Sequence, residues 1–282
     1  MLKVLRSGFY TTVQDTGRFG CRAFGVPVSG AMDSYSSQFA NSVLGNMTDA
    51  AVLEMTMTGP TLHFSEPTLI ALSGANLTPL LNDKPIRMNV SISIQANDIL
   101  SFGRPRYGFR AYLAIKNGFL TETMLGSRSM YKPITKQSRV LKDDFLEYNR
   151  IESTQKTLNA HVKYNRDLIE DGVLDVYKGP EFNTLPGHRQ SQLLNLSLIV
   201  SKQNNRMAYR LEPLFNNTLE PILTAPLLPG TVQLTPSGQL IALMRDCQTT
   251  GGYPRVLQLT ERAITILSQK TTGSCLKFRL KE

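Results

Sequence analysis

Apolar residues in this chain come in short runs, each broken by glycine, proline or asparagine. Val52-Leu53-Glu54-Met55-Thr56 leads to Gly59-Pro60 and then to Leu62-His63-Phe64. Leu69-Ile70-Ala71-Leu72 runs into Ser73-Gly74-Ala75-Asn76, and the stretch from Leu81 to Ile86 has the make-up of a tight turn. Residues 91–94 and 98–102 alternate as strands with one buried face do. Thr231-Val232-Gln233-Leu234 and residues 240–244 flank Thr235-Pro236-Ser237-Gly238, whose proline and glycine predict a hairpin turn.

Helical spacing is rarer. Tyr35, Phe39 and Val43 recur every four residues on one face. Asp33 or Ser34 can cap that helix by accepting from its free N–H groups, and Gly45 supplies a left-handed stop before Asn46. Residues 263–269 read as helix or strand, because isoleucine and threonine suit both. Gly273 and an alternating final strand, residues 275–280, follow.

Residues 149–171 are polar and patternless, the signature of a boundary or a long loop. Beyond them, the run from Val173 to Pro180 echoes the run from Leu53 to Pro60, each a strand ending in Gly-Pro. The pattern predicts a mostly β chain with a few helices (α+β), barrel-like, in two β-rich halves at 1–155 and 156–282.

The chain has 282 residues, and 41% are hydrophobic, enough for a substantial core. The formal charge is +9, yet the basic residues are spread out, apart from Arg104-Pro105-Arg106 and the neighbourhood of Arg128, Lys132 and Lys136. That spread fits a solvated basic surface or an acidic protein partner better than nucleic-acid binding. Cys21, Cys247 and Cys275 are too far apart for a zinc site and odd in number, which points to a reducing compartment. No signal peptide precedes the first strand and no run reaches the roughly 18 apolar residues of a membrane span, so a cytoplasmic protein off the membrane is expected.

Two segments carry more hydrogen-bonding groups and glycine than core or surface requires. One is Thr11-Thr12-Val13-Gln14-Asp15-Thr16-Gly17-Arg18, followed by Val26-Pro27-Val28-Ser29-Gly30-Ala31-Met32-Asp33. The other is residues 245–255, from Arg245-Asp246-Cys247-Gln248 through Thr249-Thr250-Gly251-Gly252-Tyr253-Pro254-Arg255. Glycine lets backbone N–H groups approach a ligand closely, so both read as site segments, two walls of one site. Phosphate-loop, dinucleotide and nucleophile-elbow motifs are missing. Of three histidines, His63 lies in a strand, and His161 and His188 lie in polar loops. No histidine triad or metal centre is expected. Carboxylates, amides, arginines and backbone N–H groups remain, and these suit a carboxylate, carbamoyl or amide oxygen.

At these two segments the chain resembles the allophanate hydrolase subunit 2 family, also called the biotin-dependent carboxyltransferase or 5-oxoprolinase C-subunit family. Further matching motifs are Glu54-Met55-Thr56, Ser73-Gly74-Ala75-Asn76, Gly126-Ser127-Arg128-Ser129 and Asn205-Arg206-Met207, all in family order. Ala208 stands where the family usually has glycine, and Cys247 sits inside the last motif. The resemblance implies a cyclophilin-like β-barrel architecture. It implies a partner of the allophanate hydrolase subunit 1 or kinase-inhibitor type, and a lactam-utilisation subunit. Together these would open 5-oxoproline to glutamate with ATP, bound through the assembled complex. The alternatives are the carboxyltransferase part of a urea carboxylase or allophanate hydrolase system, and a non-catalytic antagonist of a sensor-kinase inhibitor. The first alternative needs biotin on a separate carrier, since this chain has no Met-Lys-Met acceptor.

Each candidate has a functional and a structural reading. Asp15 and Arg18 either pair across Gly17 to shape the loop, or Asp15 acts in catalysis while Arg18 meets a substrate carboxylate and Gln14 donates to a carbonyl. Ser29, Gly30 and the start of the helix capped by Asp33 offer N–H donors to an anion. Glu54 faces away from Leu53 and Met55, as a general base or an arginine partner. Asn76 is a ligand contact or turn chemistry. Arg110 and Arg128 are anion contacts or solvated surface. Asp246 stands as a third catalytic carboxylate. Gln248, Thr249, Thr250, Gly251, Gly252 and Tyr253 form a ligand-facing loop or a tight turn.

Overall fold

The computed structural model describes residues 1–151 and 163–281. The chain divides into two compact units, Met1–Arg18 with Ser29–Ile169, and Phe19–Val28 with Glu170–Glu282. The expected division between 155 and 156 lies outside the described residues, as does His161. The grouping of residues 19–28 with the C-terminal part of the chain had no signal in the hydrophobic pattern. Strand dominates throughout, as the short apolar runs required.

In the first unit, a six-stranded sheet runs in the order Phe145–Leu146, Leu2–Arg6, Thr61–Phe64, Ile99–Phe102, Pro79–Leu81, Lys84–Pro85. A five-stranded sheet runs in the order Tyr10–Gln14, Val52–Thr56, Tyr107–Ile115, Thr68–Asn76, Ile92–Ile94. Because side chains alternate along a strand, each strand of the second sheet serves two layers. Leu53, Met55, Leu72 and Leu113 join Leu2, Val4, Leu62 and Phe64 of the first sheet in the main core. Val52, Ala71, Tyr112 and Ala114 point the other way, against Ala40 of the helix Ser34–Val43 and Leu44 just beyond its end. Asp33 caps that helix, its Oδ1 accepting from Ser36 N at 2.8 Å, and Gly45 ends it at φ 63°.

In the second unit seven strands close a barrel: Val173–Lys178, Arg255–Leu259, Thr231–Leu234, Leu240–Leu243, Ala208–Glu212, Leu198–Asn204 and Cys275–Leu280. The closing pair, Val173–Lys178 with Cys275–Leu280, is parallel, while Val52–Thr56 has antiparallel partners on both sides. The Gly-Pro echo therefore marks two strands but not two copies of one motif. The ambiguous segment after Thr260 is a helix, Glu261–Ser268. Thr260 caps it by accepting from Ala263 N at 3.1 Å, and residues 263–268 are all buried, so burial rather than propensity decides its form. The turn after Thr231–Leu234 forms as predicted, with Gly238 at φ 82° packed on the Phe215 backbone. No helix among the described residues is long and apolar enough to cross a membrane.

Candidate functional site

The antiparallel register aligns Gln14 with Val52 and Thr12 with Glu54 on the helix-facing side of the five-stranded sheet. The same register sets Glu54 opposite Tyr112. Glu54 is 1% exposed, and its Oε2 accepts from the Tyr112 hydroxyl at 2.8 Å and from Met32 N at 2.7 Å. The Tyr112 oxygen in turn accepts from Asp33 N at 2.8 Å. Arg110 Nε stands 3.8 Å from Glu54 Oε1, with both side chains enclosed, and the guanidinium stacks over the Phe109 ring. Of the two readings of Glu54, the arginine partner is the one the geometry displays. Arg110 is neither a surface cation nor open to an anion. Burial pushes the Tyr112 phenol well above its ordinary value, with Glu54 and Asp33 adding to the push.

This network also changes the expected anion site at the helix start. The N–H groups of Met32, Asp33 and Ser36 go to Glu54, Tyr112 and the Asp33 carboxylate, and that of Ala31 goes to the Asp15 carbonyl at 3.0 Å. These four donors are occupied inside the protein and are not open to an anion.

Asp15 is held by four donors. Ser127 Oγ and Ser129 Oγ lie 2.6 Å from its Oδ1, Gly17 N lies 2.8 Å from the same oxygen, and Arg128 N lies 2.6 Å from Oδ2. Arg18, fully buried, donates through Nε to the Met124 carbonyl and through Nη2 to the Ser129 carbonyl. Carboxylate and guanidinium thus hold the 124–129 loop from two sides, and Arg18 is closed off from a substrate carboxylate. Ser29 and Gly30 both have positive φ, at 57° and 87°. A Cβ at Gly30 would sit 2.9 Å from the Thr16 carbonyl, so only glycine lets the 29–31 and 14–17 segments meet. Beside this scaffold, Gln14 Oε1 and Ser29 Oγ are buried with no hydrogen-bond partner among the described residues. Gln14 does donate, through Nε2 to Thr12 Oγ1 and the Met130 carbonyl, but inside the protein. Asn76 resolves as turn chemistry, its Oδ1 accepting from Thr78 N at 2.8 Å. Arg128 is half-buried and lines an open cavity of about 460 Å³ with Lys136, Glu122 and Glu147.

In the second unit the 248–253 loop contains a two-residue strand, Thr250–Gly251. Thr250–Gly251 pairs with Ala225–Pro226, and the Thr249 and Gly252 carbonyls accept from Leu227 N and Ile222 N. A Cβ at Gly251 would fall 2.7 Å from Leu227 Cδ1, 3.2 Å from Gln233 Nε2 and 3.7 Å from Gln248 Nε2. Glycine here brings the backbone onto two side-chain amides. Gln233 donates to the Tyr253 carbonyl at 3.3 Å, Thr250 and Tyr253 reach solvent, and Gln248 Oε1 is buried without a partner among the described residues. Asp246 has both oxygens on Arg206. Burial pushes the Cys247 thiol up to about 11, against an opposing pull from Arg22, which lies beside it.

Pattern reading missed Ser127, Ser129, Tyr112, Arg22, Arg206 and Gln233 as contributors. Ser127, Ser129 and Arg206 fall inside matched motifs, the one signal that could have drawn attention to them. Tyr112, Arg22 and Gln233 carry no local sign, because their partners lie tens to hundreds of positions away.

The profile of the family described as carboxyltransferase domain, subdomain A and B, matches residues 24–280. The chain is 34% identical over 284 residues to the 5-oxoprolinase C-subunit of Escherichia coli strain K12, covering 99% of this chain and 90% of that protein. The crystal structure of TTHA0988 superposes with a TM-score of 0.87 at 26% identity, over 99% of this chain and 55% of that one. The urea amidolyase of K. lactis superposes with a TM-score of 0.86 at 28% identity, over 98% of this chain and 18% of that one. The chain thus spans about half of one solved neighbour and less than a fifth of the other.

Proposed function

This chain belongs to the carboxyltransferase-domain family, subdomains A and B, and from that premise we propose that it is the C-subunit of an ATP-dependent 5-oxoprolinase. The observation that carries the reading is the similarity to the 5-oxoprolinase C-subunit along 99% of the chain, both polar segments included. The chemistry of the loops agrees with it. A lactam offers one carbonyl oxygen and one N–H, and the amides at Gln233 and Gln248 and the hydroxyls at Thr249 and Thr250 are neutral groups suited to both. A resonance-stabilised lactam resists hydrolysis, and ATP hydrolysis supplies the driving force. The chain has no phosphate loop, and the N–H groups of Met32, Asp33 and Ser36 are occupied internally. Nucleotide binding therefore belongs to the assembly with the carboxyltransferase-like sister subunit and the lactam-utilisation subunit, in the cytoplasm. The part of this chain is to bind and orient the lactam amide.

The test is reconstitution with both sister subunits. Gln248→Ala is expected to lower 5-oxoproline-dependent ATP hydrolysis at least ~10-fold, the loss of a buried hydrogen bond to substrate. An unchanged rate would remove the assigned role. The similarity to the K. lactis urea amidolyase supports a second reading, a carboxyltransferase acting with biotin on a separate carrier. Urea-dependent carboxyl transfer from a carboxybiotin carrier, with no response to 5-oxoproline, would establish it instead.

A further inference from the structure

We infer that the cavity lined by Arg128 and Glu147 in the first unit binds a free α-amino acid with an apolar side chain, its carboxylate on the Arg128 guanidinium and its ammonium on the Glu147 carboxylate. This ligand differs from a lactam, whose nitrogen carries no positive charge. The cavity holds about 460 Å³, within the roughly 300–1,000 Å³ range of small-molecule sites. Four charged side chains line it: Arg128, Lys136, Glu122 and Glu147. Lys136 Nζ lies 3.8 Å from Glu122 Oε2, both largely exposed, so that pair neutralises itself. Arg128 and Glu147 are left over. Among the described residues neither side chain makes a hydrogen bond or ion pair, with the other or with any neighbour.

The backbone under both charges is fixed. Arg128 N donates to Asp15 Oδ2 at 2.6 Å, while Ser127 and Ser129 on either side turn their hydroxyls onto Asp15 Oδ1. The Asp15 scaffold thereby holds Arg128 at the cavity wall. Glu147 is held by its carbonyl, which accepts from Leu120 N at 2.9 Å, and it follows the buried Leu146. Rigid placement of both groups lowers the ordering cost of binding. An anion alone would gain at Arg128 and be repelled by Glu147, and a cation alone would meet the reverse. A zwitterion satisfies both, and a lining of balanced charge favours a ligand without net charge. Leu120, Met130 and Phe145 supply apolar surface in the same cavity, with Leu120 and Phe145 37% and 58% exposed. An aliphatic side chain on the ligand gains by covering that surface, whereas a second carboxylate would gain nothing there.

The experiment is calorimetric titration of the full chain with leucine and, separately, with leucinamide, which lacks the carboxylate, with isocaproate, which lacks the ammonium, and with glutamate. The expected result is saturable leucine binding at about 1 mM or tighter. Leucinamide should bind about 10-fold more weakly, for loss of a charge-assisted pair at the half-buried Arg128. Isocaproate should bind about 3-fold more weakly, for loss of a pair at the exposed Glu147. Arg128→Gln should erase the first difference and Glu147→Gln the second. The site is overturned if leucine does not bind, if either analogue binds as well as leucine, or if either variant keeps the difference assigned to its residue. Tighter binding of glutamate than of leucine would overturn the assignment of an apolar side chain. The ranking of the four ligands on the unaltered chain decides the matter even where a variant folds poorly.

Discussion

Arg206 and Asp246 meet in a two-pronged pair, Nε 2.8 Å from Oδ2 and Nη2 3.0 Å from Oδ1, with side chains only 6% and 11% exposed. Both residues fall in conspicuous sequence motifs, and the pair ties the start of the 245–255 loop to the turn before Ala208–Glu212. Asp246→Asn leaves an enclosed guanidinium without its counter-charge and is expected to destabilise the fold by about 3–5 kcal/mol. Arg206→Met combined with Asp246→Leu should recover much of that loss. Urea denaturation midpoints check both outcomes. A fully stable Asp246→Asn protein would show that the pair does not hold the loop.

Asp15 gathers two hydroxyls and two backbone N–H groups. Asp15→Ala removes the common acceptor and should destabilise the protein by about 2–4 kcal/mol. Amide exchange at Gly17 and Arg128 should quicken well before global unfolding. Unchanged exchange at those two sites would contradict the scaffold role.

Tyr112→Phe removes one oxygen that serves both Glu54 and Asp33 N. The expected cost is about 1–3 kcal/mol, from a backbone donor and a carboxylate left short of partners in the interior. Calorimetric melting of the variant checks it.

Hydrogen bonding from Arg255 holds the Glu181 carboxyl below its usual range, with Nη2 to Oε1 at 2.8 Å and Nε to Oε2 at 3.0 Å. A lowered folded-state value means the contribution is fully present above the ordinary glutamate value near 4.3 and fades as pH falls through the folded value. Glu181→Gln should therefore lower stability at neutral pH and flatten its acid dependence below about pH 4.3. Parallel acid dependence of variant and parent would contradict this linkage.

The sequence was most legible where the physics is local. Alternation in the strands, the Asp33 cap beside a repeating apolar face, and the Pro-Gly turn before Leu240 each announce themselves within a few positions. The same local rule put Glu54 on the face opposite Leu53 and Met55. What stayed hidden depends on register and distance: that Tyr112 stands across from Glu54, that Ser127 and Ser129 close on Asp15, and that Arg22 sits beside Cys247. Arg18 shows the limit most clearly. Its glycine-flanked, polar neighbourhood reads as a ligand contact, yet the fold turns it inward to grip loop carbonyls.

The proposed C-subunit role requires this chain to complete an assembly that opens a lactam at the expense of ATP. The direct measurement is release of glutamate and phosphate from 5-oxoproline and ATP by the two sister subunits, with and without this chain. The expected result is stoichiometric glutamate and phosphate only when the chain is present. Equal glutamate release without it, or no release with it, would rule that role out.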